Sequence, residues 1–282
     1  MIIRPPDPMQ LFAGQRAFIA FGAPWKDAVV ALMDPSCGYD PWDYDDGMTP
    51  GDVLITVIET QPRVFGCIEL IGWDSATDRF TVADKWNLVT LPAVPEWLSL
   101  PTHPGPLNHE TGSYLLETLG TQRWGGRLYE AGIESANTSE SARVMMNSGG
   151  QCTHCDENIG LARSDARERI HTYVCEANSH VGDHYSDWSA ALCTNCYLKM
   201  SAGGFTNYLY FRFAANPPCP RCLFRRSVCY VSRPYADDLP ATESPWEFYS
   251  EPHRQWDNRG YWLCHHCHFV FGESPEDGDR FF

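Results

Sequence analysis

A chain of 282 residues with a formal net charge of −15 excludes a broad phosphate-coating surface, so any nucleic-acid contact would have to come from local basic clusters. No run of eighteen apolar residues is present, and the start Met1-Ile-Ile-Arg-Pro-Pro-Asp-Pro lacks the apolar stretch of a secretory leader, so a cytoplasmic, non-membrane protein is expected. Hydrophobic residues make up 43% and aromatics 13%, enough for substantial cores, and the length predicts two or three domains.

In chain order, Phe18-Ile19-Ala20-Phe21 is a short apolar run suited to a buried strand, closed by Pro24. From Trp25 to Met33 the spacing becomes helical, with Trp25, Val29 and Leu32/Met33 on one side. The stretch CGYDPWDYDDGMTPGD is a loop rich in Gly, Pro and Asp that carries Trp42 and Tyr44. Val53–Ile58 reads as a β-branched strand, Gln61-Pro62 as a turn, and Val64–Ile71 as the next strand, with further strands expected at Phe80–Val82 and Leu88–Leu91. In the Pro-, Gly- and His-rich stretch that follows, His103 and His109 are read as loop residues and Leu115–Leu119 as a short helix. Asn137-Thr138-Ser139-Glu140 has the form of a capping box, with Asn137 as N-cap, opening a helix over Ser141–Asn147.

The segments FIAFGAPWKDAVVALMD, TPGDVLITVIE and RVFGCIELIG together resemble the EVE branch of the PUA-like superfamily over roughly residues 14–100. That resemblance implies a small β-barrel whose aromatic pocket holds one nucleobase flipped from its strand, in several relatives a modified base. A flipped base loses stacking and pairing worth a few kcal/mol, which aromatic faces and edge hydrogen bonds must restore. Trp25, Trp42, Tyr44, Trp73, Trp86 and Trp97 are available, Trp42 first among them because it lies in a polar loop. By the resemblance the corner from Phe21 to Pro24 forms another wall, and Asp45, Asp46 or Asp52 could accept from a base amino group. The base-binding set expected is therefore Phe21, Trp25, Trp42, Tyr44 and Trp73.

Beyond residue 150 the cysteines dominate. Cys152/Cys155, Cys193/Cys196, Cys219/Cys222 and Cys264/Cys267 are four C-x-x-C pairs within 116 residues. One such turn aims two thiolates at a single ion, and two turns close the tetrahedral shell that structural Zn²⁺ prefers. Disulfides would need an oxidising compartment, and a redox C-x-x-C normally stands alone beside a βαβ pattern, so two structural zinc ions are expected. Cys37, Cys67, Cys175 and Cys229 are read as small buried hydrophobes. Local basic clusters occur at Arg163/Arg167/Arg169 and Arg221/Arg225/Arg226.

The pieces RVMMNSGGQCTHC and ALCTNCYLK resemble the zinc-bound HNH (ββα-metal) nucleases over about residues 141–200. In that family the thiolates staple the fold, while cleavage needs a His base, a neighbouring metal ligand, a loop Asn and a helix ligand around a catalytic metal. Carried over by position, the base is His171, its neighbour is Ile170, the loop position is Asp187 or Trp188, and the helix ligand is Tyr197, a poor ligand for Mg²⁺. An alternative alignment puts His184 in the base position, although His180 and His184 also fit ordinary loop histidines. Mg²⁺ or Mn²⁺ is implied only if nuclease activity is retained.

The last third, with Pro-Cys-Pro-x-Cys and Tyr-Trp-x-Cys-x-x-Cys, looks like the two knuckles of a zinc ribbon, with His265, His266 and His268 as bystanders. The expected architecture is α+β: a PUA-like barrel over 1–136, an HNH-like treble clef over 137–205 and a zinc ribbon over 206–282. The expected function is recognition of nucleic acid, DNA with a modified base foremost, coupled to HNH-type cleavage if the missing ligands are supplied. The alternative is a non-catalytic, zinc-stapled adaptor with a protein partner, or a nucleic-acid-binding protein with a degenerate HNH-like fold.

Overall fold

The computed structural model describes residues 9–38, 40–76, 79–122, 138–175, 180–181, 184–229 and 262–272. The first half is built on a mixed sheet. Strand β1 (Ala17–Gly22) leads into helix α1 (Trp25–Met33), and a short strand β2 (Trp42–Asp43) precedes β3 (Val53–Ile58). Strand β4 (Val64–Asp74), strand β5 (Arg79–Asn87) and strand β6 (Gly105–Pro106) follow, then helix α2 (His109–Gln122). The order is β2-β1-β3-β4-β5, with β6 also on β1. Strands β1 and β3 run parallel, from Ala17 opposite Val53 to Gly22 opposite Ile58. A parallel pair needs a crossover, and α1 supplies it. The described strands form an open path, with β2 and β5 at its ends.

Both central strands are buried along their whole length, which explains the apolar run FIAF and the run VLITVI, broken only by Thr56, whose hydroxyl accepts the Cys67 N–H at 2.8 Å. On one face Ile19, Phe21, Ile55 and Val57 pack with Leu115, Leu116 and Leu119 of α2. On the other, Ile58, Val64 and Cys67 pack with Ala28, Val29 and Leu32 of α1. Asn108 caps α2 by accepting from the Thr111 N–H at 2.8 Å, so the helix begins at His109 and is longer than Leu115–Leu119. Its Gly112 is required by proximity, since a Cβ there would lie 2.8 Å from that of Ala17. Leu88–Leu91 is not a strand. Leu91 turns back to the Leu88 carbonyl at 2.8 Å with φ 43°, although both leucines are buried as the apolar pattern required.

The cysteine-rich half opens with helix α3 (Thr138–Ser148), continues with a short helix α4 (Ala166–Arg169) and strand β7 (Ile170–Tyr173), and has a two-stranded ribbon of β8 (His180–Val181) with β9 (His184–Tyr185). Strand β10 (Ala190–Cys193) pairs antiparallel with β7 and runs directly into helix α5 (Thr194–Ala202), after which comes helix α6 (Tyr208–Arg212). Asn137 lies outside the described residues. The side chain of Glu140 is ion-paired to Arg143, whose guanidinium also donates to the Leu91 carbonyl at 2.9 Å. Strands β11 (Ser227–Cys229), β12 (Trp262–Cys264) and β13 (Val270–Phe271) make a three-stranded antiparallel sheet.

The first two units share a core. Helix α1 packs on α3 and α4, and one buried cluster runs from Val29 and Leu32 through Ala142 and Met145 to Cys152, Leu192 and Cys196. An ion pair of 3.0 Å from Arg167 to the buried carboxylate of Asp27 crosses the same junction. Helix α6 packs on the Cys152–Cys155 turn: the Tyr208 hydroxyl donates to the Thr153 carbonyl at 3.1 Å, and Phe211 stacks on His154 with centroids 4.3 Å apart. The mixed α+β class holds, with the two cysteine clusters each fixing a small unit of its own.

Candidate metal centres and the surface around His171

Three of the four C-x-x-C pairs have one backbone form. In each, the N–H of the first cysteine donates to the carbonyl five residues on, and the N–H four residues on donates back to the first cysteine. For Cys152 these are the Glu157 carbonyl at 2.9 Å and the Asp156 N–H at 2.8 Å. The equivalent partners are Phe224 and Leu223 for Cys219, and Phe269 and His268 for Cys264. The returning residue takes a left-handed conformation each time, with φ 59° at Asp156, 61° at Leu223 and 55° at His268. The fourth pair differs: Cys193 ends β10 as the N-cap of α5, and Cys196 sits in its first turn. In the first group one such knuckle meets the end of β10, in the β7–β10 hairpin, and the first turn of α5; in the second, two knuckles flank the small β11–β12–β13 sheet.

The sulfurs of Cys152, Cys155, Cys193 and Cys196 all lie within 4.8 Å of one another, as do those of Cys219, Cys222, Cys264 and Cys267. Four sulfurs about 2.3 Å from a tetrahedral ion lie about 3.8 Å apart. The separations of 3.9 Å for Cys155–Cys193, 3.7 Å for Cys219–Cys267 and 3.5 Å for Cys222–Cys264 match that spacing. A disulfide would need about 2.05 Å, and the eleven cysteines described are all free. Burial and crowding by neighbouring thiols hold the Cys196 thiol up, and burial pushes Cys264 to about 12. Burial also opposes ionisation of Cys219, but the Cys222 and Arg221 N–H donors outweigh it and bring that thiol down to about 7. Four thiolates in one place require a cation, and both groups have the donors, spacing and N–H support to hold a metal ion. Cys37, Cys67 and Cys175 are buried as expected; the side chain of Cys229 lies outside the described residues.

The hairpin brings His171, on β7, to the first turn of α5. Its Nε2 lies 3.3 Å from the Thr194 hydroxyl, and its ring stacks on Tyr197 with centroids 4.3 Å apart and planes 5° from parallel. Burial, then the Lys26 cation of α1, hold the His171 pKa below its ordinary value. So the base position and the helix-ligand position of the HNH resemblance do meet. What surrounds them does not suit Mg²⁺ or Mn²⁺: among the described residues the two four-cysteine groups are the only sets of three or more His, Cys, Asp or Glu side chains able to share an ion. Asp187, the loop position, is occupied otherwise. It accepts from the Tyr173 hydroxyl and from the Tyr208 N–H at 2.9 Å, which ties α6 to the hairpin. His184 lies on β9 opposite Val181, and its side chain is outside the described residues.

The base-binding residues do not converge as a set. Phe21 belongs to the α2 face of the sheet, while Trp42 lies opposite Gly22 on the α1 face, where Trp25 also packs. Trp42 fills the space a side chain at Gly22 would need, a Cβ there lying 2.4 Å from Trp42 Cζ3. Tyr44 and Trp73 remain outward, 48% and 46% exposed. Asp52 is taken by the fold: it is buried, ion-paired with Arg16 at 2.6 Å, and accepts the Thr49 N–H at 2.7 Å. Part of each arginine cluster is similarly committed. Arg163 pairs with Asp165 at 2.9 Å, and buried Arg226 donates to the Ser186 carbonyl while covering the Tyr210 ring.

Two kinds of residue escaped sequence reasoning. The left-handed position of each knuckle had a usable signal, being four residues after its first cysteine. The proximity of Lys26 to His171 had none, because 145 residues separate them and only the shared core joins their elements. No protein-family profile, curated protein or solved structure matches this chain.

Proposed function

We propose that this chain recognises nucleic acid, DNA with a modified base being the best candidate, and that Zn²⁺ fills both four-cysteine groups as a structural ion. The observation that carries the reading is the knuckle–hairpin–helix arrangement with His171 set against the first turn of α5. In the HNH-like pattern this is the face that meets a phosphodiester. Around it this chain offers Lys26, Thr194 and the N-terminal dipole of α5, which together favour one phosphate. An EVE-like role for the first half would rest on the two outward aromatics, Tyr44 and Trp73, whose exposure allows stacking on a base.

Binding without cutting is the form favoured, because no carboxylate or second histidine joins His171 in a metal-binding group among the described residues. Cleavage is the second reading, and one observation favours it: His171 is held toward its neutral form, the form a general base needs. Oligonucleotides with and without modified cytosine or adenine, titrated against the zinc-loaded full chain, test the main reading. Expected are binding at low salt, preference for one modification, and no cleavage in Mg²⁺ or Mn²⁺. Absence of binding to every oligonucleotide refutes nucleic-acid recognition; cleavage abolished by His171→Ala with zinc content unchanged establishes the second reading.

A further inference from the structure

We propose that Trp97 and Tyr114 form a recognition site for the cationic side chains of a basic protein segment, separate from the nucleic-acid face. Trp97 sits in the turn closed by the Leu98 N–H to the Pro95 carbonyl at 3.0 Å. Its neighbours Val94, Leu98 and Leu100 pack inward on the α2 side of the sheet, which fixes the turn and leaves the indole 66% exposed. Tyr114 lies on the outward side of α2, whose inward side is anchored by Leu115, Leu116 and Leu119, and is 39% exposed. The two rings meet edge to face, centroids 5.4 Å apart and planes 67° from parallel. An edge-to-face pair leaves a ring face open in the angle between the planes, and such a face attracts a cation through its quadrupole.

Charge selects the occupant. The segment 86–122 that carries both rings contains Glu96, Glu110 and Glu117 and no lysine or arginine. Glu110 and Glu117 lie four before and three after Tyr114 on α2, hence on the same side of the helix, and Glu96 precedes Trp97. All three are exposed. Arg63, whose backbone carbonyl accepts the Val94 N–H, has its guanidinium paired with Glu59 at 3.1 Å and set over Phe21. Carboxylates beside the rings repel a phosphate backbone and attract arginine or lysine, so a basic peptide fits where a nucleobase does not.

The test follows the Trp97 indole N–H by NMR in the zinc-loaded full chain, assigned with Trp97→Phe. The probes are a Gly-Ser peptide carrying three arginines and the same peptide with uncharged citrulline. The expected result is saturable movement of the Trp97 signal by the arginine peptide, about tenfold weaker for citrulline and about tenfold weaker in Tyr114→Leu. Equal response to both peptides, no response to either, or movement by single-stranded DNA instead overturns the proposal. The peptide comparison uses the native chain, so it decides the matter even if a variant misfolds.

Discussion

Replacing Cys196 with serine should loosen helix α1 of the first half, although the two are more than 160 residues apart. Cys196 and Cys152 belong to the buried cluster that also holds Val29, Val30 and Leu32. Each of those three side chains is at most 1% exposed, and burying one contributes about 2 kcal/mol. α1 divides its contacts between the sheet and the elements α3 and α4. With half of the burial assigned to the α3 and α4 side, about 3 kcal/mol of the protection of α1 depends on an intact first four-cysteine module. That corresponds to about a hundredfold faster amide exchange. Cys196→Ser should therefore lose one of two metal ions and expose the Trp25–Met33 amides about a hundredfold more by hydrogen-exchange mass spectrometry, with central strand β3 changing less. Unchanged exchange across α1, in protein shown to have lost one ion, would refute the shared core.

Gly22→Ala should lose about 1–3 kcal/mol in urea denaturation, because its Cβ would fall 2.4 Å from Trp42 Cζ3 and 2.8 Å from the Ala28 Cβ, and a tryptophan near-UV signal should change with it. Arg143→Ala should cost about 2–4 kcal/mol, since it strips the guanidinium from the buried Glu140 carboxylate and frees the Leu91 carbonyl. Arg143→Lys should recover little of this, because an ammonium cannot reproduce the guanidinium's fork to carboxylate and carbonyls. For Asp52, burial raises the carboxyl pKa, but hydrogen bonds from Arg16 and Thr49 outweigh it and hold the group below its ordinary value. That contribution is complete above about pH 3.9, the ordinary value for aspartate, and is lost as pH falls through the depressed folded value. Asp52→Asn should accordingly flatten the dependence of unfolding free energy on pH below about 4, and an unchanged acid limb would count against the pairing.

The sequence by itself determined the strands β1, β3 and β4, helix α1 and both four-thiol groups. Period and spacing are local properties: FIAF is apolar throughout, and VLITVI apart from Thr56, because both faces are covered, and a C-x-x-C turn aims its sulfurs wherever it is placed. The pattern failed at Leu88–Leu91, where two buried leucines suit a turn as well as a strand, and at His109, where the cap is made by Asn108 and the helix tolerates Gly112 only because Ala17 lies against it. Tertiary structure alone decided which faces meet. The sheet separates Phe21 from Trp42, Asp27 reaches Arg167 across 140 positions, and α1 shares a core with the first four-cysteine module. These depend on how layers stack, and the packing of one buried face on another leaves no period in a single chain from which its partner can be read.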